Sequence, residues 1–86
     1  LVELLGVSTH TLQEAVYAER TGADFIVFGP VFETPGKEPV GIGQLKQACS
    51  AVSIPVLAIG GINRENTPLV MEAGASGIAA IRLFQG

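Results

Sequence analysis

Positive charge is scarce in this chain: five Lys and Arg residues stand singly against eight Asp and Glu, for a formal net charge of -3. Without a basic stripe there is no electrostatic footprint for nucleic acid or an anionic membrane surface, and both are excluded as partners. Charge of either sign is thin, 15% of residues against 48% hydrophobic. A free-standing domain of this size has too little interior to hide so much apolar surface. Leu1 opens inside an apparent strand and Gly86 closely follows another, so the chain is expected to be part of a larger protein. Tryptophan is absent, and the single cysteine, Cys49, cannot close an internal disulfide. On a helical pattern it reads as a buried thiol, and a reducing cytoplasm fits. Long apolar runs are missing too. The longest, Ile54 to Ile62, is broken by Pro55 and Gly60-Gly61 and is about half of a membrane span. Nothing has the make-up of a signal peptide.

What the chain does have is alternation. Four short apolar runs, Leu4 to Ser8, Asp24 to Phe28, Val56 to Ile59 and Ile78 to Ile81, are separated by helical patterns. The first helix is announced by Thr11-Leu12-Gln13-Glu14, a capping box in which hydroxyl and carboxylate can each satisfy a free backbone N–H. Leu12, Ala15, Val16 and Glu19 follow at helical spacing, and Thr21-Gly22 ends the helix. The second pattern spans about Ile42 to Ala51, with Leu45, Ala48 and Cys49 on one face. The third starts either at Asn63 as cap or at Thr67-Pro68, where proline suits a first turn, and ends at Ala73-Gly74. After Asp24 the second run is apolar on both alternating faces, as in a parallel strand covered on both sides. Strand, helix, strand, helix implies a parallel α/β sheet with right-handed crossovers. Four strands are about half of an eight-stranded barrel, and an open doubly wound sheet is the alternative.

In either architecture ligands lie beyond the carboxyl ends of the strands. The residues there are Ser8-Thr9-His10, Gly29-Pro30 with the loop that follows, Gly60-Gly61, and Ile81-Arg82. Two glycines before a helix start offer bare N–H groups, reinforced by the helix dipole, and favour a phosphate; a tight turn without ligand is the plain alternative. The loop Phe32-Glu33-Thr34-Pro35-Gly36-Lys37-Glu38 sets a hydroxyl and an ammonium three residues apart. It reads either as a lid bringing a cation to an anionic substrate or as a solvated surface loop. Ser8 and Thr9 could donate to an anion or precede a helix cap. His10 is an acid/base candidate by residue type alone. Asp24 falls at the opposite end of its strand, where a solvent-facing or capping role is expected. No carboxylate pair and no Cys/His cluster has catalytic or metal-ligand spacing.

At these strand ends the sequence resembles the C-terminal half of thiamine phosphate synthase and its close relative thiazole tautomerase, through GVSTHTLQEA, GADFIVFGPVFETPGK, SIPVLAIGGIN and MEAGASGIAAI. The resemblance implies a (β/α)8 TIM barrel, with residues 1–86 as strands five to eight. It implies joining of a hydroxymethylpyrimidine diphosphate to a thiazole phosphate with release of diphosphate, magnesium being bound by ligands outside this chain. By motif, Ser8 matches the serine that touches the diphosphate and Lys37 the lysine that neutralises it as it leaves. Thr34 and Gly36 fall in the loop that reaches the thiazole phosphate, while Gly60, Gly61, Ile81 and Arg82 match its cradle. Gly36 and Arg82 depart from the usual hydroxyl residues, and Pro30 takes the place of the tautomerase histidine, which ranks the isomerase second. A barrel portion without catalysis is the third reading. Open strand edges imply self-association or a missing N-terminal half.

Overall fold

Hydrophobic alternation decides which way each strand faces. The computed structural model describes residues 3–79, which form, in order, β1 (Gly6–Thr9), α1 (Leu12–Arg20), β2 (Phe25–Phe28), α2 (Gly41–Ala51), β3 (Val56–Ala58), α3 (Thr67–Glu72) and β4 (Gly77–Ile78). The strands pair in parallel in the order β1-β2-β3-β4. Ile26, Phe28, Val56 and Ala58 are buried, whereas the alternate residues Phe25, Val27 and Leu57 are only half-buried.

The buried set joins Ala15 and Ala18 of α1, Leu45 and Ala48 of α2 and Val70 of α3 in a single core. All three helices therefore bury their apolar stripes against the same face of the sheet. A doubly wound sheet would divide them between two faces, so the arrangement is that of a singly wound barrel wall. The expectation that β2 is covered on both sides holds, among the described residues, for the helix side alone. Phe28, the largest fully buried side chain, contributes about 1.5–3 kcal/mol through that burial.

The local signals act much as the sequence implied. Thr11 Oγ1 accepts from Glu14 N at 3.0 Å, and the Glu14 carboxylate reaches back to His10 N at 2.7 Å, one residue before the usual capping-box partner. Gly22, at φ +101, carries the chain out of α1. Leu4 and Leu5 lie outside β1 and are exposed; β1 begins two residues later than the apolar run. Asp24 Oδ2 accepts from Leu5 N at 2.8 Å, which gives that residue a capping role away from the strand carboxyl ends. One tie was not legible in advance: the Glu19 carboxylate accepts from Ser53 N (2.7 Å), Ser53 Oγ (3.0 Å) and Ile54 N (3.2 Å), clamping α1 to the turn before β3. Cys49 is half-buried, and burial pushes its thiol up. Its Cβ lies where Gly74 would carry a side chain, 3.1 Å away. No helix among the described residues is long and apolar enough to cross a membrane.

Candidate functional site

Because the strands are parallel, their carboxyl ends open on one edge of the sheet, and the chain leaves β2 there by an unusual route. Gly29-Pro30 is a cis peptide. Beyond it the backbone stays beside the end of β3: Ile59 N donates to Phe28 O, Val31 N to Ile59 O and Phe32 N to Gly60 O, at 3.1, 2.9 and 3.1 Å. The far side of the loop returns to the same root, with Val40 N on Pro30 O at 2.7 Å and Gly41 N on Val31 O at 3.0 Å. Residues 32–39 thus form a loop closed at its base, and its tip is pinned by an isolated bridge between Thr34 and Lys37, with Lys37 N on Thr34 O at 3.2 Å.

This route explains the two glycines that end β3. Gly60 and Gly61 have φ of +104 and +65, in the left-handed region where a Cβ is strained. A Cβ on Gly60 would stand 2.5 Å from Pro30 Cα, and one on Gly61 would stand 2.9 Å from Glu33 O and from Phe32 Cβ. The sequence left a bound phosphate and a ligand-free tight turn both open as the reason for the missing side chains; the structure shows a nearer cause, the chain's own loop lying against them. The amide N–H groups are a separate matter. Among the described residues no backbone or side-chain acceptor pairs with either glycine N–H.

The helix dipole is not available to them in the way expected. Both predicted helix starts are used: Asn63 Oδ1 caps a turn by accepting from Glu65 N (2.9 Å) and Asn66 N (3.0 Å), and α3 itself begins at Thr67. A dipole acts within its own first turn, so any anion at Gly60-Gly61 would be held by the amides. Asn66 Nδ2 donates to Gly61 O at 3.0 Å and Asn66 Oδ1 accepts from Asn63 N at 2.8 Å, which ties the glycine turn to the cap of α3.

Between the end of β1 and this loop lies a cleft of about 420 Å³. Ser8, Thr34, Lys37 and Gly60 line it, together with His10 and Pro30. Four of the sequence-predicted site residues are thereby brought together from three strand ends. Ser8 is exposed at the rim and pairs with Val27 in the ladder, so both face away from the helix layer. Thr9, pointing the other way, is buried and gives its hydroxyl to Val27 O at 3.0 Å. The Thr34 hydroxyl oxygen is shielded from solvent and has no hydrogen-bond partner among the described residues. A buried hydroxyl without a partner is unfavourable by about 1–3 kcal/mol.

Gly36 and Gly61 do not line the cleft. Gly36, at φ +77, sits at the loop tip beside a shallower concavity formed by Glu33 to Glu38, and Gly61 lies under Phe32 and Glu33. Ile81 and Arg82 lie outside the described residues. The residue that sequence reasoning undervalued is His10, whose Nδ1 is 2.7 Å from Gly29 O; no spacing signal in the chain announces a contact between residues this far apart. Among the described residues no group of three or more His, Cys, Asp or Glu side chains could hold a metal ion.

The chain as a whole is similar to known proteins. The chain is 49% identical over 83 residues to thiamine-phosphate synthase of Chloroflexus aurantiacus, covering 92% of this chain and 38% of that protein. It is 52% identical over 82 residues to that of Methanocella arvoryzae, covering 91% and 39%. Among solved structures it superposes on thiamine phosphate pyrophosphorylase from Pyrococcus furiosus with a TM-score of 0.83 at 42% identity, covering 90% of this chain and 38% of that one. The chain thus spans less than two-fifths of the length of these relatives. The profile of the family described as thiamine monophosphate synthase matches residues 2–84, nearly the whole chain, and the chain belongs to that family.

Proposed function

We propose that this chain is the phosphate-handling part of a thiamine phosphate synthase-like transferase, residues 1–86 forming strands five to eight of its (β/α)8 barrel. The observation that carries the reading is the convergence of Ser8, Thr34, Lys37 and Gly60 on one cleft at the strand carboxyl ends. Each supplies what a phosphorylated substrate needs. Ser8 can donate a hydroxyl hydrogen bond to the diphosphate of a pyrimidine substrate. Lys37 is the cation beside it, and its attraction grows as the carbon–oxygen bond breaks and charge builds on the leaving diphosphate, so it stabilises the transition state more than the ground state. The Thr34 hydroxyl and the Gly60 and Gly61 amides suit the second substrate's phosphate, with Gly36 giving the loop its turn and Ile81 and Arg82 completing the cradle. Magnesium, when bound, would neutralise diphosphate charge; its ligands are expected outside these residues.

The rest of the barrel comes either from an N-terminal half or from a second copy of the chain, since β1 and β4 are the outer strands of the described sheet. Alone, the chain is expected to be inactive, and a cytoplasmic setting fits it. The isomerase reading stays second because Pro30 offers no proton.

The test is a chimera in which this chain replaces the matching segment of the Chloroflexus aurantiacus protein. Given both substrates and magnesium, it is expected to form thiamine phosphate, and K37A to form it at least about a hundredfold more slowly. A folded chimera that makes none sinks the transferase reading.

A further inference from the structure

We propose that His10 is a positioning residue: its imidazole anchors the root of the Lys37 loop by donating from Nδ1 to the Gly29 carbonyl. The distance is 2.7 Å, and since a carbonyl can only accept, Nδ1 carries the hydrogen. In the neutral ring this leaves Nε2 as the acceptor.

Three observations give that bond its leverage. First, His10 is itself held: its backbone N–H donates to Glu14 Oε1 at 2.7 Å, so it is fixed to the start of α1. Second, Gly29 has little freedom to respond to anything else. Its N–H donates to Thr9 O at 3.2 Å, and a Cβ on it would collide with the Ile59 carbonyl oxygen. Third, the next residue, Pro30, is the one packed on Gly60, and Pro30 O receives Val40 N as the loop closes. The imidazole therefore fixes the one peptide from which the chain turns off β2 toward Lys37. Without it the Gly29 carbonyl keeps no described partner, and the only described bond left from the β1 side to the loop root is the one from Gly29 N–H to Thr9 O. Small errors at such a root are felt at the tip, because an ångström of misplacement of a catalytic group lowers turnover by about a hundredfold.

The turnover arm of the test rests on the proposed transferase reading; the exchange arm does not. In the chimera, H10A is expected to lower kcat by about tenfold to a hundredfold with little change in KM. H10N places an amide N–H where Nδ1 stood and is expected to recover most of that loss, whereas H10Q, which reaches to the Nε2 position, is not. In the protein without substrate, amide hydrogen exchange at Val31 and Phe32 should accelerate roughly two- to tenfold in H10A, as for loss of one hydrogen bond. Exchange at Ile26, in the core, should not change. If the wild-type chimera makes no thiamine phosphate, the transferase reading fails and exchange alone decides the role of His10. Rescue by H10Q and not H10N, or unchanged exchange at Val31 and Phe32 in H10A, overturns the proposal.

Discussion

Gly60 and Gly36 have the same backbone hand, φ +104 and +77, and opposite surroundings. A side chain on Gly60 would meet Pro30 at 2.5 Å, whereas one on Gly36 would meet nothing within 4 Å. The first glycine is required twice, by conformation and by the loop packed over it, and the second only once, by conformation. The root of the Lys37 loop is thus a fixed joint between two strand ends, and its tip is an open turn carrying the charged group. Rigid placement with a reachable cation is what a site for phosphorylated substrates needs, since the donors must be in position before charge develops.

Substitutions at the glycines test that contrast most strongly. G60A combines left-handed strain with a backbone collision and should destabilise the protein by about 3 kcal/mol or more in urea unfolding. G61A, whose Cβ would press on Glu33 O and Phe32 at 2.9 Å, should cost about 2 kcal/mol. G36A should cost only about 1 kcal/mol, the strain alone. Equal losses at Gly36 and Gly60 would erase the distinction between tip and root.

The smallest effect lies away from both glycines. The backbone N–H of Ser53 is the main reason the Glu19 carboxylate sits below its usual value of 4.5, helped by the Ser53 hydroxyl and Ile54 N–H and opposed by desolvation. A carboxyl depressed on folding binds its proton more weakly in the folded than in the unfolded state, so its contribution is present above pH 4.5 and fades as pH falls through the lowered folded value. Urea unfolding across that acid range should show a decline that E19Q flattens, with cleft anion binding near neutral pH unchanged.

Much of the fold could be read in advance because its signals are local. The Thr11-Glu14 cap, the Gly22 exit and the alternation in Phe25–Phe28 each depend on a few neighbouring residues, and parallel order follows from their sequence. The strand-end rule then pointed to Ser8, Lys37 and Gly60, three residues the fold does bring to one cleft. What escaped were contacts between distant residues. Glu19 meets Ser53, and His10 meets Gly29, through folding alone. The contacts over the diglycine escaped for the same reason: Pro30, Phe32 and Glu33 are distant in sequence and touch it in space. The dipole argument failed on a detail of Asn63, whose side chain caps a separate turn over residues 64–66 before α3 begins at Thr67.

The central claim is that the cleft bounded by Ser8, Lys37 and Gly60 holds phosphate-type anions through backbone amides and one cation. Titration of the protein with inorganic pyrophosphate, followed by amide nitrogen–proton NMR, tests it directly. Saturable shifts largest at Gly60 and Ser8 are expected, with affinity weakened about tenfold or more in K37A. Shifts that do not saturate, or that centre elsewhere on the sheet, would contradict it.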